Sequence, residues 1–207
     1  MYKKKSDNNT PITTLYAPGF SSLKFSYYKK PDNNKTYLTF NFNPYTGKDI
    51  WGNDAYSKDI YKSVSLNEET AATFNALIIP ILNGTDGDKP IESELQCNSG
   101  ATLTFEYKPE TTPDQPDQTT FMSAFLTINK EKVTIPFRFP TFQQEMYSDG
   151  KPKIVVSQHG LGVLSNVIKD YLLIDTPDKQ WCNLSDRERE EQRQLAISNK
   201  EWWVACR

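Results

Sequence analysis

Apolar and polar residues alternate along much of this chain, with the period of two that a half-buried strand requires. In Ser22–Tyr28, Leu23, Phe25 and Tyr27 share one face, and Lys24, Ser26 and Tyr28 share the other. In Tyr37–Asn43, Leu38, Phe40 and Phe42 point inward, and Tyr37, Thr39, Asn41 and Asn43 point outward. Lys29-Lys30-Pro31-Asp32-Asn33-Asn34-Lys35 between them is turn chemistry, so the two strands should form a hairpin. Pro44–Lys58 reads as a polar loop. Ile60–Leu66 reads as a further strand, with Ile60, Val64 and Leu66 inward. The alternation returns in Ala101–Lys108, Phe121–Asn129 and Val133–Phe139, and Lys130-Glu131-Lys132 forms a hairpin turn between the last two. Thr85–Glu94, Pro109–Thr119 and Pro140–Lys153 read as an acidic loop, a linker and a loop.

Two segments carry helical spacing instead. Ala71, Phe74, Ile78 and Ile81 recur at helical intervals, widened by Leu77. Ser65 or Asn67 can cap this helix, Glu68 and Glu69 suit the positive end of its dipole, and Asn83-Gly84 closes it after Pro80. Ile154–Ile174 reads as the second helix, with Val163, Val167, Tyr171 and Ile174 on one face. Gly160 and Gly162 weaken its first turn. Strands followed by a helix, twice, imply an α+β fold. Residues 1–12 are expected to be a disordered arm, 13–174 a single domain, and 175–207 a charged tail. The tail contains a helix capped from Ser185 and the pair Trp202-Trp203.

Composition narrows the function. Aromatics make up 13% of the 207 residues, which suits sheets better than bundles. Met1–Thr14 is basic without an apolar run behind it, and no stretch approaches the roughly 18 apolar residues of a membrane span, so no signal peptide or membrane segment is expected. Cys97, Cys182 and Cys206 fit no disulfide or metal spacing, which suggests reduced thiols in a cytoplasmic protein. Charge is uneven: residues 1–65 carry 10 lysines against 5 acids, whereas residues 66–120 carry 2 lysines against 10 acids. A polyanion would meet the first half and avoid the middle. A solvated surface with chance asymmetry is the plainer alternative.

Catalytic motifs are absent from the sequence. His159 is the one histidine, and no HExxH, GxSxG, phosphate loop or GxGxxG occurs. Asp86, Asp88, Glu92 and Glu94 lack EF-hand spacing. No enzyme, cofactor or metal is therefore expected. An enzyme with a dispersed carboxylate pair ranks last among the readings.

The outward faces do supply what unpaired nucleic acid needs: rings for bases to stack on and cations for phosphates. The candidates are Lys24, Tyr28, Tyr37 and Asn41 on the first strands, and Lys48 and Trp51 in the loop that follows. In the second half, Phe121 and Phe125 face outward if Met122, Ala124, Leu126 and Ile128 face inward, and Arg138 lies opposite Ile135, Phe137 and Phe139. The alternative is that these rings pack under loops or in a subunit contact, as in a structural protein of phage assembly.

The segments TYLTFNFNPYTGKD, YSKDIYKSVSLNEETAATFNALI, ATLTFEYKP and FMSAFLTINKEKVTIPFRF resemble the Whirly family and the related transcriptional coactivators over about residues 20–174. Phe42-Asn43-Pro44, Tyr56, Ile60–Leu66 and the helix from Asn67 occupy the places of that family's strand end, Tyr-bearing loop, strand and helix. The resemblance implies two four-stranded antiparallel sheets, each followed by a helix, and a homo-oligomer, with a tetramer favoured. It also implies single-stranded DNA, or RNA, lying across the sheets during replication, recombination or repair. The Lys-Gly-Lys-Ala stretch of plant Whirly proteins has no counterpart here. Lys24-Phe25-Ser26 stands in its place, which puts higher-order assembly in doubt. The acidic middle loops and the charged tail are additions, and the tail is a candidate contact for other proteins.

Overall fold

A computed structural model describes residues 9–30, 35–57, 59–97, 100–112, 115–148, 151–174 and 194. Stretches 111–112, 115–121, 142–148 and 151–157 are described by backbone alone. The chain divides into two units, Met1–Tyr171 and Leu172–Arg207. The tail helix and Trp202-Trp203 lie outside the described residues.

Five strands open the first unit: β1 (Asn9–Ala17), β2 (Ser21–Lys29), β3 (Thr36–Lys48), β4 (Asp54–Tyr56) and β5 (Lys62–Leu66). They form one antiparallel sheet in the order β1-β2-β3, and β3 is long enough to pair β5 with its first half and β4 with its second. After helix α1 (Glu68–Leu82) come β6 (Ile91–Gln96), β7 (Thr102–Thr112), β8 (Gln115–Lys130) and β9 (Val133–Arg138), an antiparallel sheet in chain order. β10 (Phe142–Ser148) and β11 (Lys151–Ser157) form a separate hairpin before helix α2 (His159–Leu172). The described residues thus form an α+β fold with two larger antiparallel sheets, the β10–β11 hairpin and two helices. Among the described residues five strands and then six precede the helices, where the alternation gave three and three and the resemblance implied four and four.

The alternation in β2 and β3 does what it implied. Leu23, Phe25, Leu38, Phe40 and Phe42 are fully buried, and the register sets Phe25 opposite Phe40. In the second sheet Leu103, Phe105, Leu126, Ile128 and Phe137 are equally enclosed. The core lies between these two inward faces, and α1 supplies the link. Phe74 meets Phe40 at 6.3 Å and Phe105 at 5.4 Å between ring centroids. Helix α2 closes the core beside it. Its Tyr171 hydroxyl donates to the Thr36 and Leu66 carbonyls, and its Ser165 bonds the buried Asn75 of α1 at 2.8 Å.

Asn67, not Ser65, caps α1: its side-chain oxygen accepts from the Thr70 amide at 2.8 Å, while Ser65 belongs to β5. The helix runs through Pro80 to Leu82 and ends at Gly84, whose φ of 74° is accessible to glycine at little cost. Asn67→Ala should lower stability by about 1 kcal/mol in urea denaturation, by leaving an amide of the first turn unpaired.

Several loop readings are corrected. Asn9–Ile12 lie in β1 rather than in a disordered arm. Pro44–Lys58 is largely a hairpin. Pro44 sits where β3 exchanges β5 for β4, so its missing N–H falls between two ladders. Ile60 is 62% exposed, because it precedes β5 in a turn where its amide donates to the Ser57 hydroxyl. Part of the acidic loop is β6, and the Pro109–Thr119 linker is mostly strand. Pro140–Lys153 contains β10, and Ile154–Ser157 belongs to β11, so α2 starts only at His159. Gly160 has a packing reason at that start. A Cβ there would lie 2.6 Å from Cδ of Pro140.

Candidate nucleic-acid interface

The first sheet turns one face to the core and keeps a polar face on the other side. Strand periodicity fixes which residues lie there: Thr14 and Tyr16 of β1, Ser22 and Lys24 of β2, and Asn41 and Asn43 of β3. Register sets Lys24 beside both Thr14 and Asn41, and Tyr28 beside Tyr37. Hydrogen bonds tie the strands together on this face. The Asn41 amide donates to Ser26 at 3.4 Å, the Asn43 amide donates to Ser22 at 3.3 Å, and Thr39 meets Ser65 at 3.1 Å.

The β3–β4 hairpin makes this face concave. Its turn is built on Asp49, whose carboxylate accepts from the Trp51 and Asn53 amides, each at 2.9 Å. These bonds, Asn53's first, hold the Asp49 carboxyl below its ordinary range, so it remains ionised. The hairpin and the sheet together enclose a groove of about 780 Å³. Tyr16, Tyr56 and Tyr61 supply its rings, Lys24 its cation, and Asn41 and Asn43 its amides. Tyr56 packs against Tyr16 at 5.5 Å and Tyr45 at 5.7 Å between centroids. Asp54 lies at the hairpin side of the groove and accepts from the Tyr45 hydroxyl at 3.3 Å. Burial, and then the Asp54 charge, raise the Tyr56 hydroxyl above its ordinary pKa of 10.0, so it stays a neutral donor at physiological pH.

The sequence candidates divide between the two sheets. Lys24 and Asn41 line the groove. Lys48 and Trp51 belong to the hairpin that walls it, and Trp51 is 79% exposed. Tyr28 and Tyr37 share the same face as a half-buried pair further along. Phe125 and Arg138 face away from the core of the second sheet, as expected, but in a different setting. Arg138 pairs with Glu110 at 2.7 Å. Phe125 is half-buried, with the Lys108 ammonium 5.1 Å from its ring centre and Phe20 packed on it at 6.0 Å. Lys108 is itself paired with Glu106, and the neighbouring edge strand adds Glu92 and Glu94. Phe121 lies in β8, and its side chain is outside the described residues. No family model, curated protein or solved structure matches this chain.

Arg138 nonetheless touches the same region. It lines a smaller hollow of about 190 Å³ beside the β1–β2 turn, and Tyr16 lines both this hollow and the groove. Tyr16 is a functional candidate that sequence reasoning missed, because it falls between the supposed arm and the first recognised strand. Thr14 and Tyr16, two positions apart, were the available signal. Among the described residues no helix is long and apolar enough to cross a membrane, and no group of three His, Cys, Asp or Glu side chains could hold a metal. His159 is exposed at the start of α2. Cys97 is buried, which pushes its thiol up to about 11 and keeps it un-ionised.

Proposed function

We propose that this protein binds single-stranded DNA along the polar face of its first sheet, without a fixed sequence requirement. The observation that carries this reading is the groove itself, which combines tyrosine rings, amide and hydroxyl groups and an exposed lysine in one open concavity. Bases stack on the rings, and Lys24 meets a phosphate. The groove sets Asp49 and Asp54 against Lys24, and the outer face of the second sheet sets Glu92, Glu94, Glu106 and Glu110 against Lys108 and Arg138, so the first sheet is the less repulsive path for the backbone. This is the mode of action that the Whirly resemblance implies, restricted to one sheet.

Among the described residues, Lys24 is the one cation that lines the groove. Anisotropy titrations of a mixed-sequence single strand and its duplex across a salt series test the proposal. The single strand should bind more tightly, and Lys24→Ala should reduce the log–log salt slope by about 0.7, the share of one phosphate on a single strand. Tighter duplex binding, or no salt dependence at all, would overturn it.

A second reading, an assembly protein indifferent to nucleic acid, is favoured by Ile50 at 88%, Trp51 at 79%, Ile60 at 62% and Tyr61 at 53% exposure. It requires stable oligomers by light scattering that ignore oligonucleotides. The tetramer implied by the resemblance would appear in the same measurement, but together with binding.

A further inference from the structure

We infer that the groove holds unpaired bases as hydrogen-bond donors and leaves the phosphates facing outward, so that it accepts a strand with an uncharged backbone nearly as well as DNA. This rests on the single-stranded DNA reading and deepens it. Two carboxylates, Asp49 and Asp54, line the groove, and among the described residues Lys24 is the one cation that lines it with them. A phosphate oxygen carries negative charge and only accepts hydrogen bonds, so a carboxylate repels it. Lys24 is exposed and can serve one phosphate. Lys48 of the hairpin is exposed too, but it lies outside the lining and stands opposite Asp54 in register. A backbone laid along the floor would meet more repulsion than attraction.

The lining is instead rich in acceptors. Asn41 and Asn43 turn their amide nitrogens to Ser26 and Ser22 at 3.4 and 3.3 Å, which leaves both amide oxygens to accept. The Tyr45 hydroxyl engages Oδ1 of Asp54 and leaves Oδ2, which is charged and so the strongest of the three acceptors. Asp49 gives its oxygens to the turn it builds and adds negative potential rather than a contact. Every base carries an N–H donor on its pairing edge: an amine in adenine and cytosine, N1–H and an amine in guanine, N3–H in thymine and uracil. These acceptors therefore suit all of them, beside rings that stack on all of them. In a duplex the same donors are engaged in base pairs, which gives the groove a physical reason to prefer an unpaired strand.

The test is anisotropy with the full chain and labelled oligo-dT in three forms: phosphodiester, methylphosphonate-linked, and phosphodiester with N3-methylthymine. The uncharged strand should bind within about fivefold of the phosphodiester strand, because one exposed ion pair at Lys24 is all that it forgoes. Lys24→Ala should weaken the phosphodiester strand by a similar factor and leave the uncharged strand unchanged. Methylation at N3 keeps the ring and the backbone but removes the donor, and should weaken binding about tenfold or more, the worth of a hydrogen bond to a charged acceptor. Asp54→Ala should narrow that gap. A loss above about tenfold on the uncharged backbone overturns the inference and leaves the DNA reading standing. So does equal binding of thymine and N3-methylthymine, or a gap that Asp54→Ala leaves unchanged, since a clash alone would produce it. Failure of all three strands to bind sinks the two readings together.

Discussion

Phe74→Ala is expected to destabilise the first unit by about 3–5 kcal/mol, the usual cost of removing a fully enclosed phenyl ring. Phe74 is 0% exposed and stands between Phe40 of the first sheet and Phe105 of the second, edge-on to the latter. Among the described residues no backbone ladder joins the sheets. Among the described side chains, the hydrogen bond from the Ser21 hydroxyl to the Pro136 carbonyl at 2.7 Å, that from the Lys130 ammonium to the Ser63 carbonyl at 3.0 Å and the Lys62–Glu131 ion pair at 2.6 Å cross between them. Each is small next to a lost ring: a net hydrogen bond contributes roughly 1 kcal/mol, and a partly exposed ion pair less. Glu131 is held ionised mainly by its hydrogen bond to Lys62. Its contribution is therefore present at neutral pH and fades as pH falls through its lowered pKa. Against a typical domain stability of about 5–15 kcal/mol, losing Phe74 would leave the sheets poorly coupled. Urea denaturation should show the midpoint falling with the slope unchanged, and Phe74→Leu should recover much of the loss. A loss under about 1 kcal/mol would mean that the ring is not enclosed as described.

How much of this was legible depended on how deeply each strand is buried. β2, β3, β7 and β9 each bury a run of alternate residues, so Leu23/Phe25, Leu38/Phe40/Phe42, Leu103/Phe105 and Ile135/Phe137 announce them. β6 is an edge strand, whose inward positions are Ile91, Ser93 and Leu95, and only Leu95 is buried. With Glu92 and Glu94 on its other face, it reads as an acidic loop. β10 and β11 pair with each other in a separate hairpin. The run Ile154-Val155-Val156 merged with the helix pattern, although three β-branched residues in succession favour a strand. Gly160 was legible only as a penalty to the helix. Its use, a backbone approach to Pro140, depends on a partner remote from its own pattern.

The site was half legible for the same reason. Alternation alone put Lys24 and Asn41 on the polar face, and the groove uses both. Tyr56 appeared only as a ring in a loop, because Asp54-Ala55-Tyr56 is too short to show a period. The clue lay in the turn, where Asp49 is followed by Gly52, whose φ of 82° suits glycine and lets the chain reverse into β4. The separation of Phe125 and Arg138 from the groove could not be seen from face assignment. It depends on which acids lie opposite, and Glu106 and Glu110 come from the neighbouring strand.

Tyr16→Ala should weaken single-strand binding about 5- to 150-fold, the loss of one stacked base at about 1–3 kcal/mol, whereas Phe125→Leu should leave it within about twofold. Tyr16 is 58% exposed, so little core packing depends on it, and its removal should cost little stability. It also supports the Tyr56 ring at 5.5 Å and lines both the groove and the hollow that holds Arg138. One substitution therefore removes a stacking surface and loosens its neighbour. Phe125 has comparable chemistry but is covered by Lys108 and Phe20 amid acidic side chains, where a phosphate is repelled. Leucine keeps the volume that these contacts need. The comparison separates the two sheets in one titration. If Phe125→Leu were the variant that lost binding, the strand would have to run over the second sheet, and the groove beside Lys24 would have no part in holding it.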